Sequence, residues 1–183
     1  MIGLKNLVLL FVVLSACAPA SAPVSKDEPG RLSYKDGNYH IQIFPDGSGS
    51  VALGPDVLDF AWRIDCRVDA MSDNRKCNIT SGRDGIFVYY GESQRPRQVC
   101  VSGHDFPGRR GMIRVNTGSP VSTDTDGCVQ AGSLLSQLRT GTSVTTRRVE
   151  WPYDYPVDAT TTLAGFSKAM EVVEGIRSGT LGP

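Results

Sequence analysis

A strict alternation of apolar and polar side chains runs from residue 60 to residue 68 and predicts a β-strand with one buried face. The apolar positions are Phe60, Trp62, Ile64, Cys66 and Val68. Because this face carries the bulky indole of Trp62 and the thiol of Cys66, we expect later segments to pack against the strand or to be cross-linked to it.

Further β-rich runs alternate with clusters of glycine, proline and polar residues, which is typical of strands joined by turns. Strands are predicted at residues 40–44, 50–53, 77–80, 86–90, 112–115, 144–151 and 157–161. The first two form a hairpin around residues 45–49. We interpret residues 91–111 as loop-rich, and residues 119–127 and 152–156 as turns. The pattern predicts a mainly β domain over residues 39–178.

Two segments show the helical spacing of apolar residues instead. Residues 131–139 are expected to form a short helix that ends at Gly141, and residues 163–176 a C-terminal helix with Thr162 as its N-cap. The apolar positions are Leu134, Leu135 and Leu138 in the first segment and Leu163, Phe166, Met170 and Val173 in the second. We expect residues 179–183 to be a frayed tail.

The first 16 residues have the composition of a signal peptide. Lys5 supplies the positive charge, and the apolar run at residues 7–14 is too short to cross a bilayer. The Leu-Ser-Ala sequence before Cys17 resembles the lipobox of bacterial lipoproteins, which implies cleavage before Cys17 and lipid attachment to it. The alternative is a conventional signal that is cleaved after Ala20 or Ala22.

Residues 17–38 are predicted to be the lipidated cysteine followed by a flexible linker, because this stretch is rich in proline and polar residues and offers almost nothing to bury. An arm docked on the domain is the alternative. Two or more acyl chains on Cys17 suffice for stable membrane anchoring. Ala18, rather than aspartate, follows the cysteine, which favours the outer membrane in many Gram-negative bacteria.

The composition indicates the type of domain and the cellular compartment in which it folds. The 183 residues suit one domain, and 19 basic against 19 acidic side chains give no net attraction to a polyanion, so no nucleic-acid partner is expected. Four of the five cysteines remain after Cys17, which in an exported chain indicates disulfides. Cys66 and Cys77 face inward from neighbouring predicted strands and are therefore paired, and Cys100 and Cys128 are paired by elimination.

Several of these features together resemble the invasion-associated locus B family of bacterial envelope proteins. The matching features are the strand from Trp62 to Cys66, the Gly127-Cys128 pair, the leucines before Gly141, the strand at residues 144–151, and the helix start from Thr162 to Phe166 with Ala169. The resemblance covers roughly residues 60–173. It implies a β-sandwich-like (Ig-like, two-sheet) domain in the cell envelope and a role at the host-cell interface. It offers no catalytic residues to carry over.

Seven arginines form a candidate site for an anion or an acidic partner. Five lie within twenty residues and two on a later predicted strand: Arg95, Arg97, Arg109, Arg110 and Arg114, then Arg147 and Arg148. The guanidinium fork binds phosphate and carboxylate groups bidentately, so lipid head groups, lipopolysaccharide phosphates or an acidic protein face fit such a patch. The alternative is that the arginines are scattered and paired with nearby aspartates and glutamates.

Catalytic and metal-binding motifs are weak. The chain has no Gly-x-Ser-x-Gly motif, and His104-Asp105 is better explained as part of a solvated loop than as an acid–base pair. His40 is expected to be a half-exposed strand residue. Residues 122–127 imitate half of a calcium loop, but Ser133 stands where the bidentate glutamate is needed. We therefore expect no enzymatic activity, metal or cofactor.

The expected function is that of a non-catalytic envelope lipoprotein of the outer membrane, periplasmic or surface-facing. It would bind a protein, or an anionic envelope or host-surface partner, through loops or an exposed sheet edge. One alternative is an accessory or structural subunit of a larger envelope assembly, for which an uncovered apolar face on the C-terminal helix would be the sign. A hydrolase that uses His104 is a third, less favoured alternative.

Overall fold

The structure, a computed structural model, describes residues 30–54, 61–82, 84–93 and 95–181. The predicted signal segment, Cys17, most of the predicted linker and Phe60 lie outside these ranges. Within them the chain is mostly β, in two antiparallel sheets with two α-helices and two disulfides, so the predicted fold class is confirmed.

Twelve strands are described. They are β1 (Leu32–Asp36), β2 (Tyr39–Ile43), β3 (Ser48–Leu53), β4 (Ala61–Val68), β5 (Arg75–Thr80), β6 (Ile86–Gly91), β7 (Gln98–Val101), β8 (Met112–Val115), β9 (Val121–Ser122), β10 (Cys128–Gln130), β11 (Ser143–Glu150) and β12 (Tyr153–Thr162). The helices are α1 (Leu135–Thr140), which follows a 3-10 turn at Ala131–Ser133, and α2 (Phe166–Ser178).

Eight strands form the large sheet in the order β1-β2-β3-β4-β5-β6-β7-β10, and four form the small sheet in the order β12-β11-β8-β9. Every pair of neighbours is antiparallel. The first seven strands lie side by side in chain order, as short connections between antiparallel strands favour. In the described part of the chain, β12 has β11 on one side and no strand on the other, so it is an edge of the small sheet.

One hydrophobic core joins both sheets and the helices. The helix α2 lies against β3, β4 and β5 of the large sheet. Its buried side chains are Phe166, Ala169, Met170, Val172, Val173 and Ile176, each at most 2 % exposed. The apolar face of α2 is therefore covered by its own domain.

Trp62 of β4 joins this strand to the start of α2. Its indole N–H donates to the carbonyl oxygen of Ala164 at 2.8 Å, and its ring centroid lies 5.0 Å from that of Phe166. Gly165, between them, has a φ of 83°, and a Cβ there would lie 3.3 Å from the indole Cδ1. Glycine thus allows both the left-handed backbone and the close approach. The expectation that later segments pack against this strand is confirmed.

Both predicted disulfides are present. Cys66 of β4 lies directly opposite Cys77 of β5, and Cys100 of β7 directly opposite Cys128 of β10. The first bridge is buried in the core. The second is half-buried on the other face of the large sheet, beside Phe87 of β6, which is the register partner of Cys100.

The domain begins earlier than predicted. Strand β1 lies within residues 31–38, which the sequence analysis places in the linker, and it pairs with β2 along its whole length. Leu32 and Tyr34 pack against the core. Two alternating apolar residues beside proline and glycine are too short a pattern to predict a strand, so the pairing with β2 decides the structure. At the far end of β4, Val68 was expected inside, but it is 55 % exposed at the strand end.

Three strands occur where loops or turns were predicted. Strand β7 lies in the predicted loop-rich stretch 91–111, β9 lies in the predicted turn 119–127, and β12 already begins at Tyr153, inside the predicted turn 152–156. Strand β7 pairs with the distant β10, and β12 pairs with β11 across a bulge, whereas β9 is only two residues long and pairs with the preceding strand β8. Local composition carries no information about such partners.

The helix boundaries also differ from the predictions. The first helix is a 3-10 turn followed by α1, and it ends before Gly141 as expected. The helix α2 begins at Phe166, because Gly165 adopts the left-handed conformation, and the Thr162 hydroxyl instead accepts the N–H of Ala164. Within the predicted frayed tail, Leu181 packs on the core and donates its N–H to the Gly175 carbonyl, and residues 182 and 183 lie outside the described ranges.

Candidate functional site

The seven candidate arginines do not form one patch. Arg114 and Arg147 lie on the outer face of the small sheet, whereas Arg148 points to the opposite face and binds Asp84. Arg109 binds Asp154 in the edge strand β12. Arg95 lies near the end of α2, and Arg97 and Arg110 are exposed on loops. The alternative of local pairing with aspartates therefore holds for Arg109, Arg147 and Arg148.

A different group of side chains is exposed together at one end of the small sheet. Trp151, Tyr153 and Tyr155 are 60 %, 58 % and 58 % exposed, in the β11–β12 turn and the first residues of β12. Phe106, in the loop between β7 and β8, places its ring 5.3 Å from that of Trp151. We call Phe106, Trp151, Tyr153 and Tyr155 the aromatic surface.

The strand geometry aligns the two tyrosines of the aromatic surface. Tyr153 and Tyr155 are two residues apart in β12, so their side chains leave the same face of the strand, and their ring centroids are 5.9 Å apart. They follow Trp151 at the same two-residue spacing, after the bulge that separates Val149 from Glu150. The result is a pair of large amphipathic side chains on an edge strand, to which Trp151 adds a third exposed ring from the preceding turn.

His104 fastens the loop that carries Phe106 to the end of β11. The side chain is 8 % exposed, and its Nδ1 accepts the backbone N–H of Val149 at 3.0 Å. Its Nε2 lies 3.3 Å from the carbonyl oxygen of Arg109. An accepting Nδ1 leaves Nε2 to carry the proton and donate to Arg109, which fixes the neutral tautomer. The predicted solvated loop is wrong at this residue, because His104 is a buried cross-link.

Backbone contacts strengthen the same connection. The N–H groups of Asp105 and Phe106 both donate to the Val149 carbonyl at 3.2 Å, and the Asp105 carboxylate accepts the N–H of Trp151 at 2.7 Å. The ion pair between Arg109 and Asp154, at 3.0 Å, bridges the loop to β12. The loop that carries Phe106 is thus joined to the β11–β12 turn by backbone hydrogen bonds and to β12 by an ion pair.

Gly127 makes room for His104. Its φ is 76°, and a Cβ on it would come within 2.8 Å of the imidazole Cδ2. Cys128 is held in β10 by its bridge to Cys100, so the backbone of the adjacent Gly127, which packs against the imidazole of His104, is held in place as well. Glycine is therefore required at residue 127 for steric reasons as well as for its backbone conformation.

His104 and Asp105 do not form an acid–base pair. Both imidazole nitrogens of His104 face backbone groups, and the Asp105 carboxylate is occupied by the N–H of Trp151. Asp124, in the segment that imitates a calcium loop, uses Oδ1 to accept the N–H groups of Asp126 and Cys128, which makes it a turn residue. Among the described residues, no three histidine, cysteine or acidic side chains are grouped so that they could hold a metal ion.

The C-terminal helix does not offer a docking face, since its apolar side chains are buried against the large sheet. Within residues 30–54, 61–82, 84–93 and 95–181, no helix combines the length and the hydrophobicity needed to cross a bilayer.

The aromatic surface was not predicted from the sequence, because Pro152 and Pro156 indicate a turn at residues 152–156. The available signal was the Tyr-x-Tyr spacing of Tyr153 and Tyr155, which places two aromatic side chains on one face of an extended chain.

Comparisons of the chain with protein-family models, with curated proteins and with solved structures gave no match.

Proposed function

We propose that this chain is a non-catalytic, lipid-anchored protein of the bacterial cell envelope that binds a protein partner through the aromatic surface. The observation that carries the proposal is the exposure of three aromatic rings within five residues, at Trp151, Tyr153 and Tyr155. Tryptophan and tyrosine, together with arginine, dominate the energetics of protein interfaces, and Arg109 binds Asp154, which lies between the two tyrosines in β12.

The way in which these rings are held supports the same role. Binding costs conformational entropy whenever interface side chains and loops must become ordered, and preorganised surfaces avoid part of that cost. Here the loop is held by His104 and the turn by Asp105, both through backbone hydrogen bonds. Aromatic side chains on a backbone that is already ordered lose less entropy on binding, which suits them to a specific partner.

The location is proposed from the N-terminus and the cysteines. The lipobox-like sequence before Cys17 supports lipid attachment, and Ala18 supports the outer membrane, with the domain periplasmic or surface-facing. The two disulfides fit an oxidising compartment. The resemblance to the invasion-associated locus B family suggests a partner on a host surface. It rests on the motif residues quoted above.

The two other hypotheses have lost their specific support. An accessory subunit that docks through α2 needs an uncovered apolar helix face, and that face is buried. A hydrolase that uses His104 as its base needs a free nitrogen on that imidazole, whereas both nitrogens of His104 face backbone partners.

Crosslinking and purification from intact envelopes test the proposal by comparison of variants. A Tyr153→Ser/Tyr155→Ser variant is expected to lose at least about 90 % of the partner that the unmodified protein captures, since each hot-spot residue contributes on the order of 2 kcal/mol. A Val68→Ser/Met71→Ser variant removes two exposed apolar side chains at the end of the large sheet and serves as the control. Equal capture by both variants would reject the aromatic surface as the binding site.

Palmitate labelling tests the anchor separately. Incorporation of label into the unmodified protein but not into a Cys17→Ala variant is the expected result. Labelling that survives the substitution, or no labelling of either protein, would refute lipid attachment at Cys17. Neither result affects the crosslinking test of the aromatic surface.

A further inference from the structure

A groove on the outer face of the small sheet brings two of the candidate arginines together. Arg114 of β8 and Arg147 of β11 lie on adjacent strands, with Thr145 opposite Arg114 and Met112 opposite Arg147 in the register. The groove has a volume of about 120 Å³, and its lining includes Met112, Arg114, Pro120, Thr145, Arg147 and Asp158. It lies on the face of the sheet opposite to the side chains that fill the core.

The charges of the groove are not balanced. Arg147 holds Asp158 in a two-point contact, Nε to Oδ1 at 2.6 Å and Nη2 to Oδ2 at 2.7 Å. The hydrogen bond from Arg147 is the main cause of the lowered pKa of Asp158, and the positive charge of Arg114 adds to it. Arg114 itself forms no ion pair with any residue in the described ranges. Two guanidinium groups thus share one carboxylate, and the groove keeps an excess positive charge.

Hydrogen-bond donors remain free for a ligand. All the guanidinium N–H groups of Arg114 are available to a ligand. Arg147 donates from Nε and Nη2 to Asp158, so its Nη1 group is still available. The hydroxyls of Thr145 and Thr160 bond to each other at 2.9 Å, which uses one of their two hydrogens. Such converging donors match the several acceptor lone pairs of an oxyanion.

We propose that this groove binds a small oxyanion group, a phosphate or a carboxylate, with Arg114 as its main ligand and Arg147 as a second donor. Met112 and Pro120 supply apolar contact beside the charged group. The group could belong to a soluble molecule or to a lipid head group, which share this chemistry. The inference is independent of the partner proposed for the aromatic surface, because it uses other residues on the outer face of the sheet.

An NMR titration of the isotope-labelled protein with inorganic phosphate and with acetate tests the groove. Chloride keeps the ionic strength constant, because screening alone changes weak electrostatic binding. Saturable amide shifts are expected at Met112, Arg114, Thr145 and Arg147. An Arg114→Gln variant is expected to bind about tenfold more weakly, as for the loss of a charge-assisted hydrogen bond. An Arg110→Gln variant, at an exposed loop arginine, is the matched control and should bind as the unmodified protein does.

A second pair of variants predicts the opposite change. Asp158→Asn removes the carboxylate that competes for Arg147, so anion binding should become at least about threefold tighter. Asp154→Asn removes the neighbouring carboxylate of β12, which pairs with Arg109, and should leave the affinity unchanged. Since exposed ion pairs contribute little to stability, all four variants should retain the native spectrum away from the substitution.

Vesicles distinguish the sources of the oxyanion. Binding to vesicles that contain phosphatidic acid, but not to pure phosphatidylcholine vesicles, and its loss in Arg114→Gln would assign the group to a lipid. Binding of phosphate or acetate in solution without vesicle binding would assign it to a soluble molecule. Shifts that do not saturate, equal weakening by Arg114→Gln and Arg110→Gln, or no gain in Asp158→Asn would overturn the proposal and leave an adventitious ion only.

Discussion

Trp62 and Ala164 are 102 residues apart in the chain, yet the indole N–H of the first donates to the carbonyl oxygen of the second at 2.8 Å. This bond ties the strand with the strongest sequence pattern to the segment that starts the C-terminal helix. Gly165 and Phe166 lie against the same indole, so the start of the helix packs directly on the strand.

The two tryptophans are therefore expected to differ in their contribution to stability. Trp62→Phe loses the bond to Ala164 and part of the packing on Phe166, and should lower the free energy of unfolding by about 2 kcal/mol. Trp151→Phe, at a side chain that is 60 % exposed, should change it by less than about 0.5 kcal/mol. Urea unfolding followed by circular dichroism measures both. Equal effects would contradict the placement of Trp62 in the core.

His104 is expected to be a structural residue rather than a catalytic one. His104→Ala leaves the buried N–H of Val149 without its acceptor and opens a cavity over Gly127, so the free energy of unfolding should fall by about 3 kcal/mol. His104→Asn keeps an acceptor at the position of Nδ1 and should recover roughly half of that loss. Thermal unfolding of the two variants is the measurement. A stable His104→Ala protein that had lost an activity would instead support catalysis.

The second disulfide should affect the aromatic surface, and the first should not. Removal of either bridge, as Cys66→Ala/Cys77→Ala or Cys100→Ala/Cys128→Ala, should cost about 3 kcal/mol in the chain-entropy model. Only the second change also removes the covalent constraint on Cys128, whose neighbour Gly127 packs against His104. Hydrogen exchange at residues 104–109 should therefore accelerate beyond the global change in that variant alone. The same acceleration in both variants would separate the Cys100–Cys128 bridge from the loop.

Asp69 is expected to titrate at unusually low pH. Its carboxylate accepts hydrogen bonds from Lys76, from the N–H of Met71 and from the Ser72 hydroxyl, which lower its pKa from 3.8 to about 2. Because the folded pKa is the lower one, this contribution to stability is complete above about pH 4 and is lost as the pH falls towards 2. Carboxyl NMR titration should show this midpoint, and Lys76→Met should raise it. A midpoint near 4 in the unmodified protein would contradict the turn geometry.

Local pattern was sufficient for part of this structure. The alternation that includes Trp62 and Cys66 fixes which face each side chain occupies, so the pairing of Cys66 with Cys77 follows once β5 is recognised. The same rule argues against one arginine patch, because Arg147 and Arg148 are consecutive on a strand and must leave opposite faces. The alternation along a strand therefore predicts which side chains share a surface better than their closeness in the sequence does.

The remaining features depend on contacts that sequence alone does not reveal. The burial of His104 requires Val149 and Gly127, which lie 45 and 23 residues away. The first four residues of β12 were predicted as part of a turn because of Pro152 and Pro156, and they form a strand because they continue the pairing with β11 beyond a bulge. Both features support or form the aromatic surface, so the site was harder to predict than the fold that supports it.

Site-resolved photo-crosslinking in intact cells tests the central claim most directly. A photoreactive phenylalanine analogue is placed at Trp151, Tyr153 or Tyr155, and, as a control, at Met71, which is 95 % exposed in the β4–β5 connection. The account predicts one and the same protein adduct at the three aromatic positions, none at Met71, and loss of the Trp151 adduct when Tyr153 and Tyr155 are changed to serine. No discrete adduct at the aromatic positions, or the same adduct at Met71, would contradict it.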